Sequence, residues 1–476
     1  MLFGPAARRA RQHLCTASSC CRSLVRRKPF GIIVLRQVQT VSALVVLAAL
    51  SQGLGLLRDF LLARAFAITA DLEGYFFAEA IPLAVTVIFV TVFPLTVLPR
   101  FVHLRMQSAA RCDADYRRLL RLLAILLLPV LSAILVLAPQ IIESIGSALP
   151  MDSKHVAQLV LRALALNVVG IPILSLNTAY LNARGNFVFP AAALLLLNAG
   201  ALLGLWLGSS VIAAAIGSSG GTLVAVTCTY LMVRSQLTPP ELRTEPESAR
   251  RYSPNLIYVL VYVAMLSLIV LLERRVASAM GFGSVTLVAY ATKIVGMPQY
   301  LFTMSYVRTR IAQYSRWVGL GDQQAVRRDF RRSVGVMMGV SVVCAAVAGW
   351  GGICIAELLF GGLTLEQASD FQSAIVVLSA ALLPMFLNAL FVGVASARVR
   401  LRFLMWPSAA QAAVLTLAAW LLPTGLGAPA ATAVIACGHI VASVVWLAIS
   451  RRVLTLSDSA EVIVSTERQT NLDTDP

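Results

Sequence analysis

Residues 53–66 read GLGLLRDFLLARAF, an apolar run that nevertheless contains Arg58, Asp59 and Arg64. The run is hydrophobic enough to belong to a membrane-spanning helix, and a charged side chain that faces lipid at that depth is energetically costly. Charges within spans therefore face the interior of a helix bundle, where they mark the path of an ion or a substrate. We interpret this stretch as part of a substrate path through a membrane.

The composition of the whole chain supports this interpretation. Of its 476 residues, 58% are hydrophobic and only 13% are charged. A soluble domain of this length could not bury so much apolar surface. The formal net charge of +17 is spread over short clusters between apolar runs, as in loops beside a membrane. We therefore expect contacts with anionic membrane lipids and no nucleic acid among the partners.

About twelve apolar segments are long enough to cross a membrane as helices. They lie at 40–66, 74–99, 118–142, 156–182, 188–208, 210–233, 254–280, 284–310, 333–360, 371–396, 403–424 and 428–450. The connections after even-numbered spans, such as 308–332, are basic, whereas those after odd-numbered spans, such as 366–370, are acidic or neutral. Because basic loops stay in the cytoplasm, this alternation predicts an even number of spans and two cytoplasmic termini.

A polar, proline-containing connection near the middle of the chain divides the spans into two sets of six. The predicted units are a basic cytoplasmic extension at 1–38, a first lobe at 39–234, a linker at 235–253, a second lobe at 254–452 and a polar cytoplasmic tail at 453–476.

The two lobes resemble each other in sequence. A shift of 216 residues places Arg58 on Arg274 and Pro82 on Pro298. An even number of spans in each copy gives both copies the same orientation. The sequence thus predicts an all-α, polytopic membrane protein whose two six-helix lobes are related by a pseudo-two-fold axis along the membrane normal.

Charged residues of both lobes are expected in one layer of the membrane. At 1.5 Å per helical residue, Arg58 lies about 12 Å, Arg274 about 9 Å, Lys293 about 14 Å and Glu79 about 8 Å from the non-cytoplasmic end of its span. More cations than anions in this layer predict an anionic substrate, and arginine forks suit phosphate groups. Arg58, Arg274 and Lys293 are therefore the predicted substrate-binding residues.

Three acidic residues could balance or couple these cations. Asp59 and Glu273 are neighbours of arginines and are candidates for either internal counter-ions or ion coupling. Glu79 is the best candidate for a carboxylate that titrates or binds a cation, such as Na⁺ or H⁺. Arg64 is close enough to the end of its span to reach the interface, and the isolated Arg162 is expected to be a packed or interfacial charge.

No motif for covalent chemistry stands out. We find no phosphate-binding glycine loop, no catalytic Ser/His/Asp set and no metal-ligand spacing among the eight cysteines and four histidines. The sequence therefore predicts a transporter without a metal or an organic cofactor, driven by a coupling cation or the membrane potential. Two other classes stay open: a cation-coupled multidrug exporter and a non-transporting membrane scaffold for polysaccharide synthesis.

Four stretches resemble the lipid II flippase family of the multidrug/oligosaccharidyl-lipid/polysaccharide exporter superfamily. They are GLGLLRDFLLARAF (53–66), EGYFFAEAIP (73–82), YLNARGNFVFPAAALLLLN (180–198) and LLERRVASAMGFGSVTLVAYATKIVGMP (271–298). The resemblance implies two lobes around a central cationic cavity, which carry a polyprenyl-diphosphate-linked saccharide across a bacterial inner membrane by alternating access. It also implies polysaccharide or cell-wall synthesis enzymes as partners.

The resemblance extends to single residues. The family's cavity arginines in spans one and eight correspond to Arg58 and Lys293, and its acidic residue at the start of span two corresponds to Glu73. The family usually has further arginines where this chain has Gln52 and Thr86, and it has two additional spans for the lipid tail. These departures fit a related polyprenyl-diphosphate oligosaccharide, as in capsule, exopolysaccharide or O-antigen export, better than lipid II. The expected substrate class therefore includes lipid II and related polysaccharide precursors.

Overall fold

The computed structural model describes residues 30–237, 256–302, 322–361, 363–397 and 401–454, together with isolated positions between 306 and 320. Most of the predicted extension, linker and tail, at 1–29, 238–255 and 455–476, lies outside the described residues. Residues 30–38 of the predicted extension form the start of the first helix. Throughout the described ranges, the regular secondary structure is helical.

Fifteen helices account for the described elements, apart from short turns. They are α1 Phe30–Phe66, α2 Ala70–Val92, α3 Leu98–Gln107, α4 Ala109–Ile145, α5 Met151–Ala183, α6 Val188–Ala193, α7 Leu195–Gly208, α8 Val211–Arg234, α9 Leu256–Ala279, α10 Ser284–Phe302, α11 Gln323–Phe360, α12 Leu365–Ser379, α13 Leu382–Ala397, α14 Met405–Leu421 and α15 Ala428–Leu454. A π-helical turn, Phe93–Val97, joins α2 to α3, and a 3₁₀ turn, Leu401–Leu404, precedes α14.

The predicted membrane class is confirmed. Within the described residues, 11 helical segments are long and apolar enough to cross a membrane. The remaining predicted span, at 284–310, corresponds to α10, whose 19 residues include Lys293, Pro298 and Gln299 and make it less apolar than the others. The fifth predicted span is divided into α6 and α7, and the tenth is divided into α12 and α13.

The two halves pack their helices in the same way. In the first half, α5 packs against α2, α4 and α8, and α7 packs against α8. In the second half, the helices at equivalent positions repeat this pattern: α12 packs against α10, α11 and α15, and α14 packs against α15. The repeated packing agrees with the internal similarity in sequence and with the predicted relation between two lobes.

The halves meet mainly through their first two spans. Helix α2 packs along α9 and also contacts α10, while α1 contacts α11. One hydrophobic core extends across this junction, from Leu62 and Phe76 in the first half to Phe371 and Trp446 in the second. The first spans of both halves are therefore the elements that bring the predicted charged residues together.

Glycines bring α7 and α8 into backbone contact. A Cβ atom on Gly200 would lie 2.3 Å from the carbonyl oxygen of Gly217, and one on Gly217 would lie 2.2 Å from that of Gly200. Beside this contact is an apolar groove of about 640 Å³, lined by residues such as Leu203 and Ile216. None of the predicted substrate-binding residues lines this groove.

Candidate functional site

Four charged residues lie together at the junction of the halves. Arg58 and Asp59 are on α1, Glu79 is on α2 and Lys293 is on α10. We call these four residues the charged cluster. Helix α2 begins at Ala70, four residues earlier than the prediction, because the side chain of Thr69 caps its first turn. Glu79 is therefore about 14 Å from the helix end, deeper than expected and level with Lys293.

Ion pairs connect every member of the charged cluster. Arg58 Nη2 lies 2.8 Å from Asp59 Oδ1 and 3.3 Å from Glu79 Oε1. Lys293 Nζ, from the other half, lies 3.0 Å from Asp59 Oδ2 and 3.5 Å from Glu79 Oε2. Each cation is thus shared between the same two carboxylates, and the pairing crosses the junction.

Aromatic residues form the apolar side of the cluster. Lys293 Nζ lies 4.4 Å from the centre of the Phe76 ring, a distance suited to a cation–π interaction. The Tyr290 hydroxyl donates a hydrogen bond of 2.8 Å to the backbone carbonyl of Asp59. The Tyr290 ring also contacts Phe76 and Phe360 edge-on. These contacts hold α10 against α1 and α2 beside the charges.

Arg274 and Glu273 extend the charged region along α9. Arg274 interacts electrostatically with Glu273 and with Glu79, so it belongs to the same charged layer. Its Nε and Nη1 atoms are buried and have no hydrogen-bond partner among the described residues. An unpaired buried donor is costly unless water or a ligand satisfies it. Arg274 therefore offers two guanidinium donors at the junction.

The charged cluster contains equal numbers of positive and negative groups. Arg58 and Lys293 are balanced by Asp59 and Glu79, because both carboxylates pair directly with both cations. The sequence had indicated an excess of cations. The side chains of the cluster are 11–26% exposed, so the ion pairs remain partly accessible.

Glu73 connects the two halves at the end of the bundle nearer the start of α2. The fully buried carboxylate accepts a hydrogen bond of 2.9 Å from the backbone N–H of Gly283 in the other half. It also accepts a hydrogen bond of 3.2 Å from the Ser153 hydroxyl. Gly283 has φ +81°, where a side chain would be strained, and a Cβ there would lie 2.5 Å from Ile68. The sequence resemblance indicated Glu73 but not these partners.

Sequence reasoning missed the ion pairs outside the charged layer, and two of these pairs have equivalent aspartates in the two halves. Arg100 binds Asp115 through two hydrogen bonds of 2.7 and 2.9 Å, and Arg310 lies 2.9 Å from Asp329 in the second half. The aspartates begin the similar tetrapeptides DYRR (115–118) and DFRR (329–332), which are related by a shift of 214 residues. This repeat is the feature of the sequence that could have predicted the two ion pairs, because it places their aspartates at similar positions in the equivalent helices α4 and α11.

The position of Thr86 agrees with a departure from the family pattern. Its hydroxyl donates to the carbonyl of Leu83 in its own helix, and the residue is 2% exposed. A neutral, internally bonded side chain therefore occupies the place where the family usually has an arginine.

Comparisons with known proteins give a consistent result. The sequence matches the family model "Lipid II flippase MurJ" over residues 35–470. A lipid II flippase MurJ structure in an inward closed conformation has a TM-score of 0.65 and 15% identity, over 86% of this chain and 87% of that one. An inward-facing multidrug resistance MATE transporter of the MOP superfamily has a TM-score of 0.64 and 16% identity, over 83% and 94%.

A MOP superfamily transporter from Pyrococcus furiosus has a TM-score of 0.60 and 15% identity, over 88% of this chain and 96% of that one. At these identities the structural similarities show the fold, which is that of MOP transporters. A search of curated proteins gave no significant match.

The helical spans and the family model over residues 35–470 define a multi-pass membrane transporter of the flippase type, not an enzyme. Because the family model covers most of the sequence, the chain belongs to the lipid II flippase MurJ family.

Proposed function

We propose that this protein carries a polyprenyl-diphosphate-linked saccharide, lipid II or a related polysaccharide precursor, across the cytoplasmic membrane by alternating access. The observation that carries the proposal is the Arg274 guanidinium, whose buried Nε and Nη1 atoms lack a hydrogen-bond partner among the described residues, beside a cluster of cations shared by both halves. A diphosphate provides several acceptor oxygens and negative charge, so it can satisfy donors that the protein leaves unpaired.

Substrate binding would exchange ion-pair partners. Arg58 and Lys293 are held by Asp59 and Glu79 in the structure. A diphosphate entering the junction would bind Arg274 first, because its donors are free, and then compete with the carboxylates for the other two cations. A diphosphate carries more negative charge and more acceptor oxygens than either carboxylate, so it can bind several of these cations at once.

The released carboxylates would couple transport to ions. Once the diphosphate binds the cations, Asp59 and Glu79 lose their counter-charges and favour uptake of H⁺ or Na⁺. Glu273 can act with Arg274 in the same way. The membrane potential can also bias the cycle, since moving one charge through it is worth about 2.3 kcal/mol per 100 mV.

Contacts between the halves would act as a gate that opens during the cycle. Glu73 with Gly283 and Tyr290 with Asp59 join the halves near one end of the bundle. Breaking them would let the halves separate there while α2 and α9 remain packed. On the orientation given by the charge pattern, this end faces away from the cytoplasm and both termini are cytoplasmic. Cell-wall or polysaccharide synthesis enzymes are the proposed partners.

Arg274→Gln tests the proposal, with Arg275→Gln as the matched control on the same helix. Both variants would be reconstituted in proteoliposomes and assayed for transport of lipid II and of a cationic drug. Losing a charge-assisted contact should slow lipid II transport by roughly tenfold or more in Arg274→Gln. Arg275→Gln should transport lipid II at the unchanged rate.

Drug transport separates the alternatives. If the protein is a multidrug exporter, the reconstituted chain transports the drug and Arg274→Gln has no effect on that transport. If it is a scaffold, neither compound crosses with the unchanged chain. Either result contradicts the proposed function.

A further inference from the structure

A second cationic position lies on the outside of the bundle, between α4 and α5. Arg162 is an exposed residue in the apolar part of α5, eleven residues after the helix begins. Its neighbours on this surface are apolar and exposed: Leu135 is 43%, Val136 71% and Leu166 46% exposed. In a membrane this surface faces acyl chains, where an uncompensated charge is costly.

Pro139 explains why an arginine lies here. Proline has no N–H, so the carbonyl of Leu135, four residues earlier in α4, receives no helical hydrogen bond. Arg162 Nε donates to this carbonyl at 3.2 Å. Backbone groups exposed to lipid must be satisfied within the protein, and the contact supplies the missing donor.

The contact uses only one of the five N–H donors of the guanidinium. A carbonyl oxygen does not neutralise the positive charge, which arginine retains in proteins. Within the described ranges, no acidic residue forms an ion pair with Arg162, and Glu143, two turns further along α4 than Leu135, is paired with Lys154 at 2.8 Å. The outer edge of the guanidinium thus remains charged on a lipid-facing surface.

The anions available at such a surface are lipid phosphates. Helix α5 has 33 residues, a length of about 50 Å, whereas the hydrocarbon layer is about 30 Å thick. Arg162 lies about 16 Å from the start of the helix. Because α5 extends beyond the hydrocarbon, that position is within reach of a headgroup if the side chain extends toward the interface.

We propose that Arg162 is a binding site for the phosphate of an anionic phospholipid, held in orientation by the Leu135 carbonyl that Pro139 leaves free. The site is separate from the charged cluster and does not depend on the proposed substrate. The Nη1 and Nη2 atoms of Arg162 form the outward edge of the guanidinium, and this edge binds the phosphate oxygens.

Native mass spectrometry of the full chain, released from nanodiscs and titrated with phosphatidylglycerol, tests the site. Arg162→Gln should weaken retention of one phosphatidylglycerol molecule per chain by roughly tenfold, the effect of losing a charge-assisted hydrogen bond. Arg105→Gln is the matched control, since Arg105 is also exposed and donates to a backbone carbonyl, that of Ala183, at the opposite end of α5. It should change retention less than twofold.

A purely structural role for Arg162 makes different predictions. Pro139→Ala returns an N–H to the Leu135 carbonyl, so the double variant Pro139→Ala/Arg162→Gln should recover any thermal stability lost in Arg162→Gln but not the bound lipid. Equal phosphatidylglycerol retention in the unchanged chain and Arg162→Gln would overturn the proposal. Equal losses of bound phosphatidylglycerol in Arg162→Gln and Arg105→Gln would also overturn it. So would a dimer of the unchanged chain that dissociates only in Arg162→Gln, because the exposed arginine would then bind a second chain.

Discussion

Asp59 and Glu79 already pair with Arg58 and Lys293, so under the proposed function they would compete with an anionic substrate for these cations. A cluster with free cations would bind a diphosphate tightly but release it slowly. In the proposed cycle, the internal carboxylates would reduce that affinity and would allow release once they regain the cations. Balanced charge therefore suits a transporter, which has to bind and release the same group in one cycle.

We predict that Glu79→Gln strengthens binding of the diphosphate lipid while slowing transport. Removing one competing carboxylate should tighten binding by roughly twofold to fivefold, the size expected for partly exposed ion pairs. Native mass spectrometry with lipid II measures the binding, and proteoliposomes measure the transport. Glu143→Gln is the control, because Glu143 is paired with Lys154 away from the junction. Weaker binding in Glu79→Gln would contradict the exchange of partners.

A second prediction concerns Glu73. Glu73→Gln should lower the free energy of unfolding by about 1–3 kcal/mol, since an amide replaces an acceptor that satisfies two buried donors. Thermal unfolding in detergent measures the loss, and hydrogen exchange at the Gly283 amide should become faster. Asp71→Asn, an exposed acid on the first turn of the same helix, should leave both measurements unchanged. Unchanged exchange at Gly283 in Glu73→Gln would contradict the assigned contact.

At the scale of helices, close packing between α7 and α8 depends on glycines at particular positions. Gly200 and Gly217 face each other, whereas a Cβ on Gly220 would meet nothing within 4 Å. Small residues let membrane helices approach until their backbones touch, and this contact replaces the hydrophobic driving force that lipid cannot supply. The glycine-rich stretch IGSSGG (216–221) predicts close helix packing from the sequence, but not which of its glycines face the neighbouring helix.

Gly200→Ala should therefore destabilise the protein, whereas Gly220→Ala should not. The added methyl group of Gly200→Ala would lie 2.3 Å from the Gly217 carbonyl oxygen and force α7 away from α8. Overpacking of this kind costs about 1–3 kcal/mol. Thermal unfolding of the two variants under identical detergent conditions provides the comparison. Equal melting temperatures for both variants would show that the helices do not pack closely at Gly200.

For the whole molecule, the junction is asymmetric although the halves are similar. Helix α2 packs along α9, whereas α1 approaches the second half through Asp59 and through its contact with α11. Hydrogen bonds and aromatic contacts at Tyr290 then fix α10 near the charged cluster. In the proposed cycle, opening the bundle at this end would break these polar contacts and part of the shared hydrophobic core, while the α2–α9 packing would serve as the hinge.

Tyr290→Phe should shift the halves toward separation at this end of the bundle. The variant retains the ring contacts with Phe76 and Phe360 but loses the hydrogen bond to the Asp59 carbonyl, worth about 1 kcal/mol. Hydrogen exchange of backbone amides in the first turns of α10 should become several-fold faster. Tyr300→Phe, which changes an exposed tyrosine of the same helix, is the control. Unaltered hydrogen exchange in Tyr290→Phe would show that this hydrogen bond does not hold the halves together at this end.

The membrane class, the helical spans and the identity of the charged residues were predictable from the sequence. Hydrophobic length identifies most of the segments that cross a bilayer, since nearly all backbone polar groups there are satisfied within their own helix. Buried charges such as Arg58 and Lys293 are recognisable for the same reason, because they are rare in such segments. The equivalent positions of Arg58 and Arg274 in the two halves also follow from the sequence alone.

Only the tertiary structure decided which charges share a partner. Asp59 and Lys293 are distant in sequence, and their ion pair exists because α1 and α10 come from different halves that meet at one junction. The unpaired donors of Arg274, the link from Glu73 to Gly283 and the contact of Arg162 with the Leu135 carbonyl likewise depend on which helix faces which. Helical periodicity identifies the faces of a span, but only packing between spans determines what each face contacts.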